Sequence, residues 1–452
     1  MLTAIDPSSG RTIAEIASAS DRDVERILDA AHTAYLSWRR TTFEERAQVL
    51  MDVAALMRRR VDELARPMTE EMGNPIREAR AEVEKSAWCA EHYAAHAAKY
   101  LQRETLVSDA STSYVQYLPL GPVLGILPWN APFWLAFRFA APALMAGNTC
   151  VMKHDPHVPA CASAIAGLFE SVSAPAAIFH NLPVETDRVE AVIRDPRIQA
   201  VSFTGSERGG AAVAAIAASE IKHSVLELGG SDPCIVLADA DLEKAADVVT
   251  LSRIINAGQS CIAAKRIIVE APVYDRMLAM LEERLARLTV GDPREEATDI
   301  GPIARADLRE QLHRQVTDTI RAGARCLLGG RIPSGDGYFY PPTLLADVTG
   351  DMAAACEETF GPVAVVMRAS GADEALRIAN NTPYGLAASV WSDAGRGEAL
   401  ARDIEAGQVA INGIVKTDPR LPSGGIKRSG FGRELGPHGI REFVNAQQVW
   451  VG

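Results

Sequence analysis

The chain is short of positive charge, of long apolar runs and of paired cysteines. Its 46 lysines and arginines are outnumbered by 58 aspartates and glutamates, for a net charge of −12. Nucleic acids and anionic membranes attract basic surfaces, so neither is expected as the main partner. The basic run Arg58-Arg59-Arg60 precedes Asp62 and Glu63 in a helical pattern and reads as a solvated face. No window reaches the ~18 uninterrupted apolar residues that a membrane span needs. The richest segment, FAAPALMAGNTCVMK, is broken by Pro142, Gly147, Asn148 and Thr149. The opening MLTAIDPSSG has neither a basic start nor an apolar run, so no secretory signal is expected. Seven cysteines, an odd number with no C-x-x-C pair, fit a reducing compartment, and a cytoplasmic location is expected. Cys150, Cys161 and Cys234 lie in apolar runs and are expected to be small buried hydrophobes. His92 and His96 stand four apart on a helical segment, but Tyr93 occupies the place of the glutamate in H-E-x-x-H. No metal is expected.

What is present is a globular composition, 48% hydrophobic and 23% charged, over 452 residues, enough for two or three domains. Residues 21–100 read as helices; Val24, Ile27, Leu28 and Ala31 recur at helical spacing behind Asp21. Strand-like segments flank a turn around Gly121-Pro122. Short strands then alternate with helices to residue 237: strands at 148–154, 176–183, 198–205 and 223–230, with helices at 158–172, 185–195 and 207–220. A second alternating series follows Cys261, with a strand at 265–270, helices over 272–288 and 304–322, a strand at 361–369, a helix at 372–381, and strands at 386–392 and 408–412. Alternation of this kind predicts parallel sheets covered by helices on both faces. Two α/β domains are expected, with the chain crossing between them near Gly229-Gly230 and the reacting centre in the cleft.

Three constellations could carry chemistry. Cys261, in INAGQSCIAAKR, follows a glycine, a glutamine and a serine, an approach that suits an exposed reactive thiol better than a packed one. In AVSFTGSERGG a strand ends at Thr204-Gly205-Ser206 and a small-residue helix begins. Such a turn lets a phosphate approach backbone amides, although the spacing is not G-x-G-x-x-G and an ordinary turn is an equal reading. Glu227 ends the strand HSVLELGG, where a carboxylate would face an α/β cleft as a general base or serve only as a cap.

LPWNAP, TCVMKH, FTGSERGG, LELGGSDP, NAGQSC, EETFGPV, NNTPYGLAAS and SGGIKRSGFGRELG together resemble the NAD(P)-dependent aldehyde dehydrogenases, in that family's order and at about its spacings, over nearly the whole chain. The resemblance implies two Rossmann-like α/β domains and a small β oligomerisation element. Residues 1–103 and 122–228 would bind NAD(P), 229–430 would form the catalytic domain, and 104–121 with 431–452 the oligomerisation element of a homodimer or homotetramer. It implies Cys261 as nucleophile, Glu227 as the base that activates water, and Asn130 as an oxyanion donor. Lys153, Gly205, Ser206, Glu358, Phe360 and Trp129 would bind the cofactor. Where the family commonly has Pro-Ser/Ala-Glu after the lysine, this chain has His154-Asp155-Pro156, and Asp155 would repel a 2′-phosphate. NAD is therefore the expected cofactor, with NADP possible. The usual PFGG reads Pro422-Ser423-Gly424-Gly425.

The small-molecule aldehyde is expected to be succinate semialdehyde, because semialdehyde dehydrogenases of the family similarly carry an arginine at the place of Arg138. Their second arginine corresponds to Ile255, and the hydroxyl of Thr417 would assist instead. Other aldehydes remain the alternative. A coenzyme-A-acylating enzyme should lack Glu227, a cysteine hydrolase needs an activating histidine that no signal identifies, and a non-catalytic binding protein should have lost Cys261 or Glu227.

Overall fold

The computed structural model describes residues 1–452 except 174 and 176. Two twisted sheets form the body. The first has six strands in the spatial order Gly430–Phe431, His223–Glu227, Ala200–Thr204, Pro122–Leu127, Thr149–His154, Phe179–Asn181. All are parallel except the first. The second has seven, Arg325–Leu328, Thr343–Ala346, Val363–Ala369, Arg266–Glu270, Pro233–Val236, Ala387–Trp391 and Gln408–Ile411, with only the first antiparallel. Both sheets are Rossmann-like α/β layers. Their inner strands are buried along most or all of their length, which is why they read as continuous apolar runs rather than alternating ones.

The expected strands and helices are present with ends shifted by a few residues. The strand expected over 176–183 is Phe179–Asn181, and residue 176 of that expectation lies outside the described residues. A hairpin of Leu2–Asp6 with Arg11–Ile16 and the edge strand Arg325–Leu328 carry weak alternation and are additions to the sequence reading. A third sheet stands apart: Glu104–Thr105, Thr112–Pro119 and Val444–Val451, the last two paired antiparallel over eight residues. It is the small β element, and it leaves Trp450 and Val451 about half exposed.

In the first sheet the strand order reverses beside Pro122–Leu127, which has Thr149–His154 on one side and Ala200–Thr204 on the other. Ligands of open α/β sheets bind outside the carboxyl ends of strands at such a point. Trp129-Asn130 and Gly205-Ser206 leave these strands there. The helix Pro132–Met145 packs back on the sheet through Phe139, whose ring a Cβ on Gly125 would meet at 2.5 Å. Gly125→Ala should therefore push this helix outward and cost about 1–3 kcal/mol. The check is the urea midpoint; an unchanged midpoint would show that the contact is soft.

Candidate active site

The loop before Cys261 is held in a conformation it would not adopt alone. Asn256 and Ala257 have φ of 53° and 52°, and Gly258 has 73°, three successive residues in the left-handed region. Such geometry costs of order 1 kcal/mol or more at each non-glycine residue and persists only where surroundings enforce it. The enforcement is visible. The Asn256 N–H donates to Glu78 Oε2 at 2.7 Å, and the Arg253 guanidinium donates to the Gly258 carbonyl at 2.6 Å. The Gln259 side chain accepts from Ala304 N–H and donates to the Asn256 carbonyl. Lys265, wholly buried, donates through Nζ to the Cys261 carbonyl at 2.5 Å and lies 3.3 Å from Glu358 Oε1.

Cys261 is thereby set at a half-buried turn, and among the described residues its own N–H donates to no protein group. Asn130 faces the same loop: its Nδ2 donates to the Gln259 carbonyl at 3.1 Å, and its carbonyl accepts from Asn256 Nδ2 at 2.6 Å. One amide proton of Asn130 is left over. Burial pushes the Cys261 thiol up to about 11, against the pull of Lys265 and Arg138. No histidine is among the groups acting on it.

Glu227, at the end of its strand, is 4% exposed. Burial pushes its carboxyl up to about 8; Arg138 opposes this and Glu434 adds to it. Sequence position alone suggests that the Arg138 guanidinium is free for a substrate carboxylate, and the structure corrects this. Arg138 is 3% exposed, its Nε contacts Glu434 Oε2, and its Nη2 lies 3.5 Å from Glu227 Oε2. Burial works against its charge, but the two carboxylates outweigh that and hold its pKa above the ordinary value. Thr417 is engaged by Lys85, whose Nζ donates to Thr417 Oγ1 at 2.9 Å.

Of the residues expected to bind the cofactor, Lys153 and the Gly205-Ser206 turn lie at the carboxyl ends of strands beside the switch point, where a dinucleotide would fit. Lys153 is 5% exposed, and among the described residues its ammonium has no hydrogen bond or ion pair; burial lowers its pKa. An unpaired buried ammonium calls for an anion or polar oxygens. Ser206 caps the helix Glu207–Ser219 by accepting from Gly209 N–H at 3.2 Å, and Gly205 N–H donates to the Glu227 carbonyl. The Trp129 and Phe360 rings meet edge to face at 5.8 Å across the cleft between the two sheets. Glu358 Oε1 accepts from Gly230 N–H at 3.1 Å, and a Cβ on Gly229 would strike the same carboxylate, so the glycine pair at the domain crossing makes room for it. Asp155 accepts from His157 N–H and pairs with His157 Nδ1 at 2.6 Å; despite burial its pKa is lowered, so it is ionised.

Several supporting residues escaped the sequence reading. Glu434 lies in the quoted SGFGRELG and Lys265 four residues past Cys261, a charged residue closing an apolar CIAA stretch. Glu78, Glu82 and Lys85 sit in the charge-rich helix Ile76–Tyr100, where nothing in the sequence singles them out. Their burial depends on neighbours distant in sequence. His92 and His96, expected to be structural, stack at 4.4 Å beside Tyr100. Cys150, Cys161 and Cys234 are buried.

The chain matches the model of the aldehyde dehydrogenase family over residues 1–449 and belongs to that family. It is an NAD(P)-dependent aldehyde dehydrogenase. It is 47% identical over 451 residues to the probable succinate-semialdehyde dehydrogenase [NADP(+)] of Synechocystis sp., covering 100% of this chain and 99% of the relative. Among solved structures, it superposes on the succinic semialdehyde dehydrogenase of Streptococcus pyogenes in complex with NADP+ with a TM-score of 0.97, 35% identity and full coverage of both chains. The NAD-dependent aldehyde dehydrogenase of Sinorhizobium meliloti gives 0.96 and 36%, over 100% of this chain and 91% of the other. No described helix is long and apolar enough to cross a membrane.

The loop geometry makes a prediction. Glu78→Ala should leave the Asn256 N–H buried and unpaired, lower stability by about 1–3 kcal/mol and slow alkylation of Cys261 by iodoacetamide. Glu78→Gln, whose amide oxygen can accept the same bond, should restore most of both. Alkylation at the wild-type rate in Glu78→Ala would show that the loop holds itself.

Proposed function

We propose that this enzyme oxidises succinate semialdehyde to succinate, with Cys261 as nucleophile, Asn130 and the Cys261 N–H as oxyanion donors, and Glu227 as the hydrolytic base. The observation that carries the reading is the tethered Cys261 loop with Asn130 bonded to it, and Arg138, which acts on Cys261 and lies 3.5 Å from the buried Glu227 carboxylate. The buried thiol is protonated at neutral pH, so its proton must pass to solvent or to the ionised fraction of Glu227 as sulfur attacks the aldehyde carbon. The resulting alkoxide develops beside the spare Asn130 amide proton and the free Cys261 N–H, donors already placed before charge appears. Lys153, Gly205, Ser206, Glu358, Phe360 and Trp129 would hold the dinucleotide, which supplies a hydride acceptor when bound. Loss of hydride turns the thiohemiacetal on Cys261 into a thioester. Glu227 then takes a proton from water as oxygen attacks the acyl carbon, and the acid leaves. Arg138 and Glu434 keep Glu227 in place between opposite and like charge. A histidine-activated hydrolase finds no support, since no histidine acts on Cys261.

The substrate assignment draws on the Synechocystis relative's printed name. The cofactor assignment goes the other way from that name: NAD is preferred here because Asp155 is an ionised carboxylate two residues from Lys153. The exposed Trp450–Val451 edge of the three-stranded sheet supports self-association into a homodimer or homotetramer.

Glu227→Gln should give a burst of reduced cofactor followed by slow turnover, whereas Cys261→Ala should give no burst. In the wild type, deacylation should quicken as pH rises through about 8, because only the ionised Glu227 accepts the water's proton. A missing burst in Glu227→Gln would move Glu227 to an earlier step.

Succinate semialdehyde and butanal, each assayed with NAD and NADP, test the rest. The semialdehyde should give the higher kcat/KM, and NAD should exceed NADP. Asp155→Ala should shift the NAD/NADP ratio toward NADP by about tenfold, equivalent to about 1.4 kcal/mol. A wild-type preference for NADP would overturn the cofactor assignment, and one for butanal the substrate.

A further inference from the structure

We propose that Lys85, held by Thr417 over the face of Trp134, is the residue that recognises the distal carboxylate of a short ω-carboxylated aldehyde. The proposal rests on the semialdehyde reading above. Lys85 lies on the helix Ile76–Tyr100, three residues past Glu82. Its Nζ is 2.9 Å from Thr417 Oγ1 and 4.0 Å from the Trp134 ring centroid, and neither neighbour is an anion. Among the described residues, no carboxylate comes within ion-pair distance of it.

The nearby acids are already committed. Glu82 Oε1 accepts from the Phe133 and Trp134 N–H groups at 2.9 and 3.1 Å. Asp418 is gripped by Arg420 at 2.8 and 2.6 Å. Arg138, by contrast, has two carboxylates of its own and adds repulsion to the Lys85 ammonium instead of relieving it. Burial first, then Arg138, lowers the Lys85 pKa to about 8. Glu82 and Asp418 relieve the Lys85 charge only from beyond ion-pair distance, and a half-buried cation beside another cation becomes more favourable when an anion from outside joins it.

The placement suits a substrate. Trp134 lies in the first turn of the helix that follows Asn130. Arg138, one turn farther along the same helix, acts electrostatically on both Cys261 and Lys85, so both groups lie within reach of its charge. An aldehyde with its carbonyl at Cys261 and Asn130 can present a carboxylate at its other end to the Lys85 N–H groups that Thr417 leaves unused. The Trp134 face and the aliphatic lysine stem would flank the methylene chain between them.

The test compares succinate semialdehyde with butanal in the wild type, Lys85→Met, Lys85→Arg and Thr417→Val. Lys85→Met should lower the ratio of kcat/KM for the semialdehyde to that for butanal by about 10- to 100-fold, mainly through KM for the semialdehyde. Lys85→Arg should recover a large part of the ratio. Thr417→Val, which keeps the charge but removes its tether, should lower it by a few-fold, and it carries the test should Lys85→Met not fold. An unchanged ratio in Lys85→Met, or in Thr417→Val if that variant stands alone, would overturn the role of Lys85 and leave the semialdehyde reading standing. A fall in kcat/KM common to both aldehydes would do the same. A wild type that does not favour the semialdehyde would overturn both.

Discussion

Buried carboxylates that accept main-chain N–H bonds are the interaction on which the site depends. Glu71, Glu78 and Glu82 project from consecutive helices, and each ties a different part of the molecule. Glu71 accepts from Ala160 and Cys161 at the start of the helix Pro159–Glu170, just past the Lys153 strand. Glu78 takes the Asn256 N–H of the nucleophile loop, and Glu82 the two N–H groups that open the Arg138 helix. Burial pushes all three carboxyls up to about 7, a measure of how strongly the protein resists placing charge there. Hydrogen bonds to charged groups contribute roughly 1.5–3 kcal/mol, enough to offset part of that penalty and to fix positions that a neutral contact would leave loose. The helical layer is thus the frame against which Asn130 and the Cys261 loop are aligned.

The Glu227–Arg138–Glu434 cluster obeys a different logic. Two carboxylates share one guanidinium, so the cluster cannot be neutral with both acids ionised, and the acid less favourably placed titrates late. That leaves Glu227 a base of near-neutral strength rather than an inert carboxylate. Ser202 Oγ, donating to Glu434 Oε1 at 3.2 Å, holds the other acid in place. Removing a single partner from such a buried set typically costs about 3–5 kcal/mol, because a charge is left uncompensated.

The sheets and most covering helices were legible because parallel strands are continuous apolar runs and the helices between them carry strong periodicity. The residues at the ends of those strands were legible too, through motifs whose glycines and polar residues interrupt apolar segments. Arg138 shows where reading from sequence stops. Its position on an apolar helix correctly announces burial, but its partners lie 89 and 296 residues further along the chain. Lys85 and Glu82 fail for the opposite reason: in a helix rich in charge nothing local separates the face that meets protein from the face that meets water. The short strand Gly430–Phe431 carries no periodicity at all, since two residues cannot establish one.

That strand also divides the site into two halves. Gly430 pairs antiparallel with Glu227 itself, and Glu434, the partner of Arg138, follows four residues later, before the strand Val444–Val451 beside Thr112–Pro119. The Glu227 side is thus walled by a segment that makes none of the tethers of the Cys261 loop, which are Glu78, Arg253, Gln259 and Lys265. In the mechanism proposed above, loosening that wall would reach thioester release before thioester formation, so the two halves of the cycle can be impaired independently.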